Sequence, residues 1–202
     1  MRSYAAAVTC LALCVASASA GITDYAIAND GDGAINCVVD SWADEGAETY
    51  SMTIVGDQFW GPGHMVGEFT VDNDPTVRVR NIIDNETSSA WIGYRVNVFL
   101  ANPFMVSTAP ADLLVYGPTD WTATLTQSAT WNGTAYQAII DYTGGTPIAV
   151  GETLDFGYKF IFQGTVQYCQ EMIPISLAIP EPATMSLLAI GGLAALLRRK
   201  RS

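Results

Sequence analysis

Hydrophobic and polar residues alternate with a period of two through most of the middle of the chain, and helical periodicity is almost absent. Leu154, Phe156, Tyr158, Phe160 and Phe162 alternate with Asp155, Gly157, Lys159, Ile161 and Gln163. Ile92, Tyr94, Val96, Val98 and Leu100 alternate with Gly93, Arg95, Asn97 and Phe99, and Val77 and Val79 with Thr76, Arg78 and Arg80. This pattern turns one face of each strand to a core and the other to water. Asn132-Gly133, between residues 122–131 and 134–142, predicts a hairpin because both residues tolerate positive φ. Further turns are expected at Asn73-Asp74-Pro75, Asn85, Asn102-Pro103, Gly117-Pro118 and Gly144-Gly145. Regular strands with such punctuation predict an all-β fold, an antiparallel β-sandwich of about eight to ten strands. No internal repeat interrupts it, so residues 21–178 read as one domain.

Both ends break the pattern. Arg2 precedes an apolar stretch over residues 4–15, and Ala16-Ser17-Ala18-Ser19-Ala20 ends it in small residues. Ala18 and Ala20 fit the A-x-A rule, so residues 1–20 read as a signal peptide removed by signal peptidase before Gly21. The stretch is too short to cross a hydrocarbon core of about 30 Å as a helix. At the other end, Pro180-Glu181-Pro182 leads into an apolar run over 183–197 and a basic stop, Arg198-Arg199-Lys200-Arg201. As a hydrophobic helix this run would cover about 22 Å, short of the core unless the arginines snorkel and the bilayer thins. The basic stop would stay on the cytoplasmic side, placing the body outside. A buried core helix is the alternative, but a run with no polar face suits an amphipathic domain poorly.

Pro180, Glu181 and Pro182, the short hydrophobic helix and the basic end together resemble the PEP-CTERM sorting tail of exported bacterial proteins. The resemblance is confined to residues 179–202. It implies recognition by an exosortase, a membrane protease-transpeptidase that cuts near Pro-Glu-Pro. It also implies a host that makes extracellular polysaccharide. The implied route runs through an inner-membrane intermediate, held at least transiently by the tail, to the cell surface or extracellular matrix. Tails of this kind are also called the ice-binding protein C-terminal domain; that label describes the tail and does not make the body bind ice.

Charge and cysteine usage narrow the picture. Of 20 acidic residues, all fall between Asp24 and Glu181, and only four of the nine basic residues lie there, giving that stretch a net charge of −16. Such a body repels phosphate backbones, which excludes nucleic-acid binding, and could attract divalent cations. A single His argues against a multi-His zinc enzyme. Removing the signal peptide removes Cys10 and Cys14 and leaves Cys37 and Cys169, for which export favours a disulfide; two buried thiols are the alternative.

Asn29-Asp30-Gly31-Asp32-Gly33 resembles a calcium loop, but alignment to an EF-hand puts Ala28 and Val39 at its two ends, so that pattern fails. A different calcium site using Asp30, Asp32 and Asp40 stands against the plainer reading of a polar turn, and no other cofactor is expected. Five tryptophans are many for this length, and Trp42 and Trp60, beside acidic or Gly-rich turns, are the candidates for stacking on sugar rings. Residues 121–162 loosely resemble the second half of cellulose-binding sandwich modules. Thr122, Thr124 and Thr126 share a strand face, an ordinary solvent pattern. His64 reads as a loop residue, and without a Gly-x-Ser-x-Gly elbow or a second His a hydrolytic triad lacks support. The expectation is a non-catalytic surface or matrix protein, with a carbohydrate-binding module as the alternative.

Overall fold

The computed structural model describes residues 21–71 and 74–176. Ala18, Ala20, the Pro-Glu-Pro motif, the expected hydrophobic helix and the basic stop lie outside the described residues.

Among the described residues, twelve strands follow one another: β1 (Ile22–Asn29), β2 (Ile35–Gly46), β3 (Thr49–Gln58), β4 (Gly63–Val71), β5 (Thr76–Asn85), β6 (Trp91–Leu100), β7 (Phe104–Val106), β8 (Leu114–Gly117), β9 (Thr122–Trp131), β10 (Tyr136–Ile148), β11 (Thr153–Phe162) and β12 (Val166–Ser176). The first sheet has the order β1-β4-β12-β6-β10-β9 and the second β2-β3-β5-β11-β7, with β8 also pairing β11. The all-β class is as the alternation predicts, but two particulars differ. The strand number exceeds the expected range, because short β7 and β8 and the early β1 carry weak alternation. The second sheet is also mixed: β3 and β5 run parallel, from Thr49↔Thr76 to Gln58↔Asn85. The chain leaves the second sheet after β3, forms β4 in the first, and returns beside β3, so two same-direction strands become neighbours.

The inward faces follow the sequence closely. Leu154, Phe156, Tyr158, Phe160 and Phe162 are all buried, as are Tyr94, Val96, Val98 and Leu100. Ile92 breaks the expected face, with 37% of its surface exposed, while Trp91 is fully buried. A β-bulge explains the swap. On β12, Ile175 pairs Gly93 and Ser176 pairs Trp91, so Ile92 has no partner there and the larger ring turns inward. Gly144-Gly145, expected as a turn, lies within β10. A Cβ on Gly144 would stand 1.8 Å from Trp121 Cδ1, so glycine lets the indole lie across the strand and donate from Nε1 to Thr146 O at 2.7 Å. The 132–135 turn joins β9 and β10 as expected, with Asn132 Oδ1 accepting from the amides of Thr134 and Ala135, both at 3.0 Å.

A polar seam crosses the apolar core. Gln170 on the first sheet donates from Nε2 to Asn81 Oδ1 on the second at 2.8 Å, and Gln58 donates from Nε2 to Met172 O at 3.0 Å. The Tyr158 hydroxyl donates to Gln170, and that of Tyr94 to Gln58. These cross-sheet bonds fix how the two sheets sit on each other, since any slide would break them and strand more buried polar groups.

The expected Cys37–Cys169 disulfide is not formed; both are free cysteines. On β2, Ile35 and Cys37 are buried while Asn36 and Val38 face out. On β12, Val166, Tyr168, Gln170 and Met172 are buried, and Cys169 belongs to the opposite, outer face. One thiol therefore points into the sandwich from the second sheet and the other away from it on the first. A bond would need a one-residue register slip, turning a whole strand face over.

Candidate functional site

The outer face of the first sheet gathers the most chemistry. His64 opens β4, Glu171 lies on β12 and Asn97 on β6. The register pairs Glu171 with both His64 and Asn97, setting the three side chains in one row across the sheet. The β1–β2 loop closes over the end of this row, and its backbone is held there by Asp30 N donating to His64 O at 3.2 Å. Gly31 and Gly33 have φ of 81° and 83°, left-handed values that let the short loop fold back.

The loop presents two carboxylates to the row. Asp30 Oδ2 lies 3.1 Å from His64 Nδ1, and Glu171 Oε1 lies 3.4 Å from Nε2 on the other side of the ring. Asn97 donates from Nδ2 to Glu171 Oε2 at 2.6 Å. Asp32 completes the set: one ligand atom each from Asp30, Asp32 and His64 falls within 4.8 Å of the others. The other oxygens of the aspartates are engaged locally, Asp30 Oδ1 with Asp32 N at 3.2 Å and Asp32 Oδ1 with Ala34 N at 2.7 Å. Both carboxylates are thereby oriented rather than loose.

Beside this row lies an open groove of about 520 Å³, lined among others by Val66, Glu68, Phe99, Gln167, Cys169 and Thr134. Burial, reinforced by the carboxylates of Glu171 and Asp30, pushes the Cys169 thiol up to about 11. At neutral pH it stays protonated and is a poor nucleophile. Burial, with Asp57 adding to it, pushes Cys37 up to about 12. The His64 ring has a carboxylate close to each of its nitrogens.

Electrostatics favour a cation here. Each basic side chain of the body is paired elsewhere: Arg80 with Asp155, Arg95 with Asp141, Arg78 with Glu45 and Asp112, and Lys159 with Asp112. Among the described residues, no lysine or arginine forms an ion pair with Asp30, Asp32 or Glu171.

The structure separates the two tryptophans that the sequence puts forward. Trp42 is half-buried, stacked between Tyr25 and Tyr50 at ring-centroid distances of 4.5 and 5.5 Å, and packed on the core. Its rings already have aromatic partners. Trp60 is 56% exposed and lies 6.3 Å from Phe59. Trp131, 53% exposed and 5.3 Å from Tyr136, is a second exposed ring that sequence reasoning did not single out. Its place as the last residue of β9, next to Asn132-Gly133, was the available signal.

Asp30 and Asp32 were legible as candidates in the sequence, whereas His64, Glu171 and Asn97 join them only through strand register. Asp40, the third member of the calcium reading, is not in the cluster. Gly21, at the expected cleavage point, is buried, and a Cβ there would overlap the Tyr50 hydroxyl.

Comparison with known proteins places one part of the chain. Residues 178–201 match the family described as the PEP-CTERM protein-sorting motif. No curated protein and no solved structure matches the chain.

Proposed function

We propose that this chain is a non-catalytic surface or matrix protein, a β-sandwich cargo delivered by its C-terminal sorting motif. The PEP-CTERM motif at 178–201 is the observation that carries the reading: it implies an exported protein processed by an exosortase through a membrane-anchored intermediate. Signal peptidase cleavage before Gly21 and extracellular polysaccharide as the surrounding matrix complete the route. A non-catalytic body is supported by the protonated thiols and by the presence of a single imidazole, set between carboxylates. The sorting half is tested by replacing Glu181 with Ala in the host. The expected result is retention of the variant in the inner membrane while the parent chain reaches the surface or medium. Equal release of both would refute it.

Exposed Trp60 favours a second reading, in which the sandwich holds matrix polysaccharide by stacking on sugar rings. Retention on host-made polysaccharide that Trp60→Ala or Trp131→Ala abolishes would establish it. Absence of retention on every polymer tested would leave the plain surface-protein reading.

A further inference from the structure

We propose that Asp30, Asp32 and His64 form a binding site for a first-row divalent transition metal such as Zn²⁺, with Glu171 and Asn97 as the hydrogen-bonded support behind the imidazole. The donor set is the first argument. One imidazole nitrogen with two carboxylates suits zinc and its neighbours, whereas calcium and magnesium take oxygen alone. The spacing is the second. The 3.1 Å between Asp30 Oδ2 and His64 Nδ1 is close to the edge of about 3.3 Å expected between tetrahedral ligands around zinc. The third ligand atom lies within 4.8 Å, on a loop whose glycines let it draw in.

Unsatisfied polar atoms supply the independent evidence. Among the described residues, four buried side-chain polar atoms have no hydrogen-bond partner, and one of them, His64 Nδ1, is the nitrogen that faces both aspartates' loop. Native proteins carry few such atoms, and an ion or its bound water is a recognised cause. Asp30 Oδ2 stands 3.1 Å from Nδ1 without making a hydrogen bond to it, and the nitrogen is shut off from solvent. A metal between them would use the Nδ1 lone pair and an oxygen from each aspartate. Asn97 is itself only 7% exposed, and its amide reaches Glu171.

The arrangement behind the ring matches that role. With Nδ1 on the metal, Nε2 carries the proton and faces Glu171 Oε1, and Asn97 fixes the other oxygen of that carboxylate. Carboxylate behind histidine behind metal is a recurring way to set the tautomer and raise ligand basicity. Three protein ligands leave water in the remaining positions. The site ties the β1–β2 loop to β4, and the uncompensated negative charge of the body draws the cation in.

The test is Zn²⁺ titration by calorimetry of the full-length chain in detergent, stripped beforehand with a chelator. Saturable binding of one Zn²⁺ per chain is expected, with a rise in Tm. His64→Ala and Asp32→Asn should each weaken binding at least about 100-fold, and Glu171→Gln about 10-fold, without lowering the metal-free Tm in the loop variant Asp32→Asn. Glu86→Gln, an exposed acid elsewhere, should bind as the parent does. If His64→Ala fails to fold, Asp32→Asn and Glu171→Gln still decide the matter. Absence of stoichiometric binding, unchanged affinity in Asp32→Asn or His64→Ala, or tighter binding of Ca²⁺ than of Zn²⁺ would overturn the proposal.

Discussion

Replacing Asn85 with alanine removes a side chain that does four jobs at once. Asn85 is fully buried at the end of β5. Its Nδ2 donates to Ser89 O and Ile148 O, each at 3.0 Å, and its Oδ1 accepts from Thr87 N at 3.0 Å and Thr87 Oγ1 at 2.6 Å. These bonds shape the β5–β6 loop and pin it to the end of β10. At about 1 kcal/mol per buried bond, with partial rescue by water entering the space, the loss should be about 3 kcal/mol. With an m-value of about 2 kcal/mol/M, the urea midpoint falls by about 1.5 M. Tryptophan fluorescence reads it, because Trp91 donates from Nε1 to Thr87 Oγ1 at 3.1 Å and senses the same loop. Asn85→Asp should cost more, since a carboxylate cannot donate to two carbonyls and would be buried with its charge. A midpoint shift under about 0.3 M for Asn85→Ala would refute this assignment of the bonds' worth. The same burial means that Asn85-Glu86-Thr87, which has the form of a glycosylation sequon, cannot present its asparagine without unfolding the loop.

Other predictions test different parts of the fold. Unfolded protein beginning at Gly21 and kept without reductant should react with two equivalents of a thiol reagent; zero would restore the disulfide. In the native state Cys169 should label slowly at pH 8 and faster as pH rises toward about 11, in keeping with its raised thiol. Gly144→Ala should displace the Trp121 ring and its bond to Thr146, costing about 2 kcal/mol by the penalty for overpacking, measured by urea unfolding. Arg95 holds the Asp141 carboxyl below the usual carboxylate range through hydrogen bonds of 2.6 and 3.0 Å. The resulting stability is fully present above the unfolded value near about 3.9 and is lost as pH falls through the lower folded value. Asp141→Asn should therefore cost about 1 kcal/mol at pH 7 and flatten the acid limb of the stability curve; an unchanged limb would contradict the pairing.

Period-two alternation carries most of this fold in plain view. The inward face of β11 is readable residue by residue because each of its five large apolar side chains is two positions from the next. Features set by contacts far along the chain were not readable. The bulge that buries Trp91 in place of Ile92 depends on β12, and the glycines at 144 and 145 look like a turn until Trp121 is seen lying over the first. The parallel β3–β5 pair depends on β4 crossing to the other sheet, which no local pattern encodes. The Cys37–Cys169 expectation came from compartment and parity of count, and neither says which way a side chain faces. At the candidate site, the loop aspartates announce themselves by spacing, but Asn97 and Glu171 are 74 residues apart and meet only through register.

If the sandwich is cargo freed from two terminal addresses, the intact mass of the native protein from host envelope and medium will show it. A species that begins at Gly21 and ends near Pro182, with or without an added group, is the predicted result. A species that still carries Arg198 to Ser202 would make the tail a lasting anchor and contradict exosortase sorting.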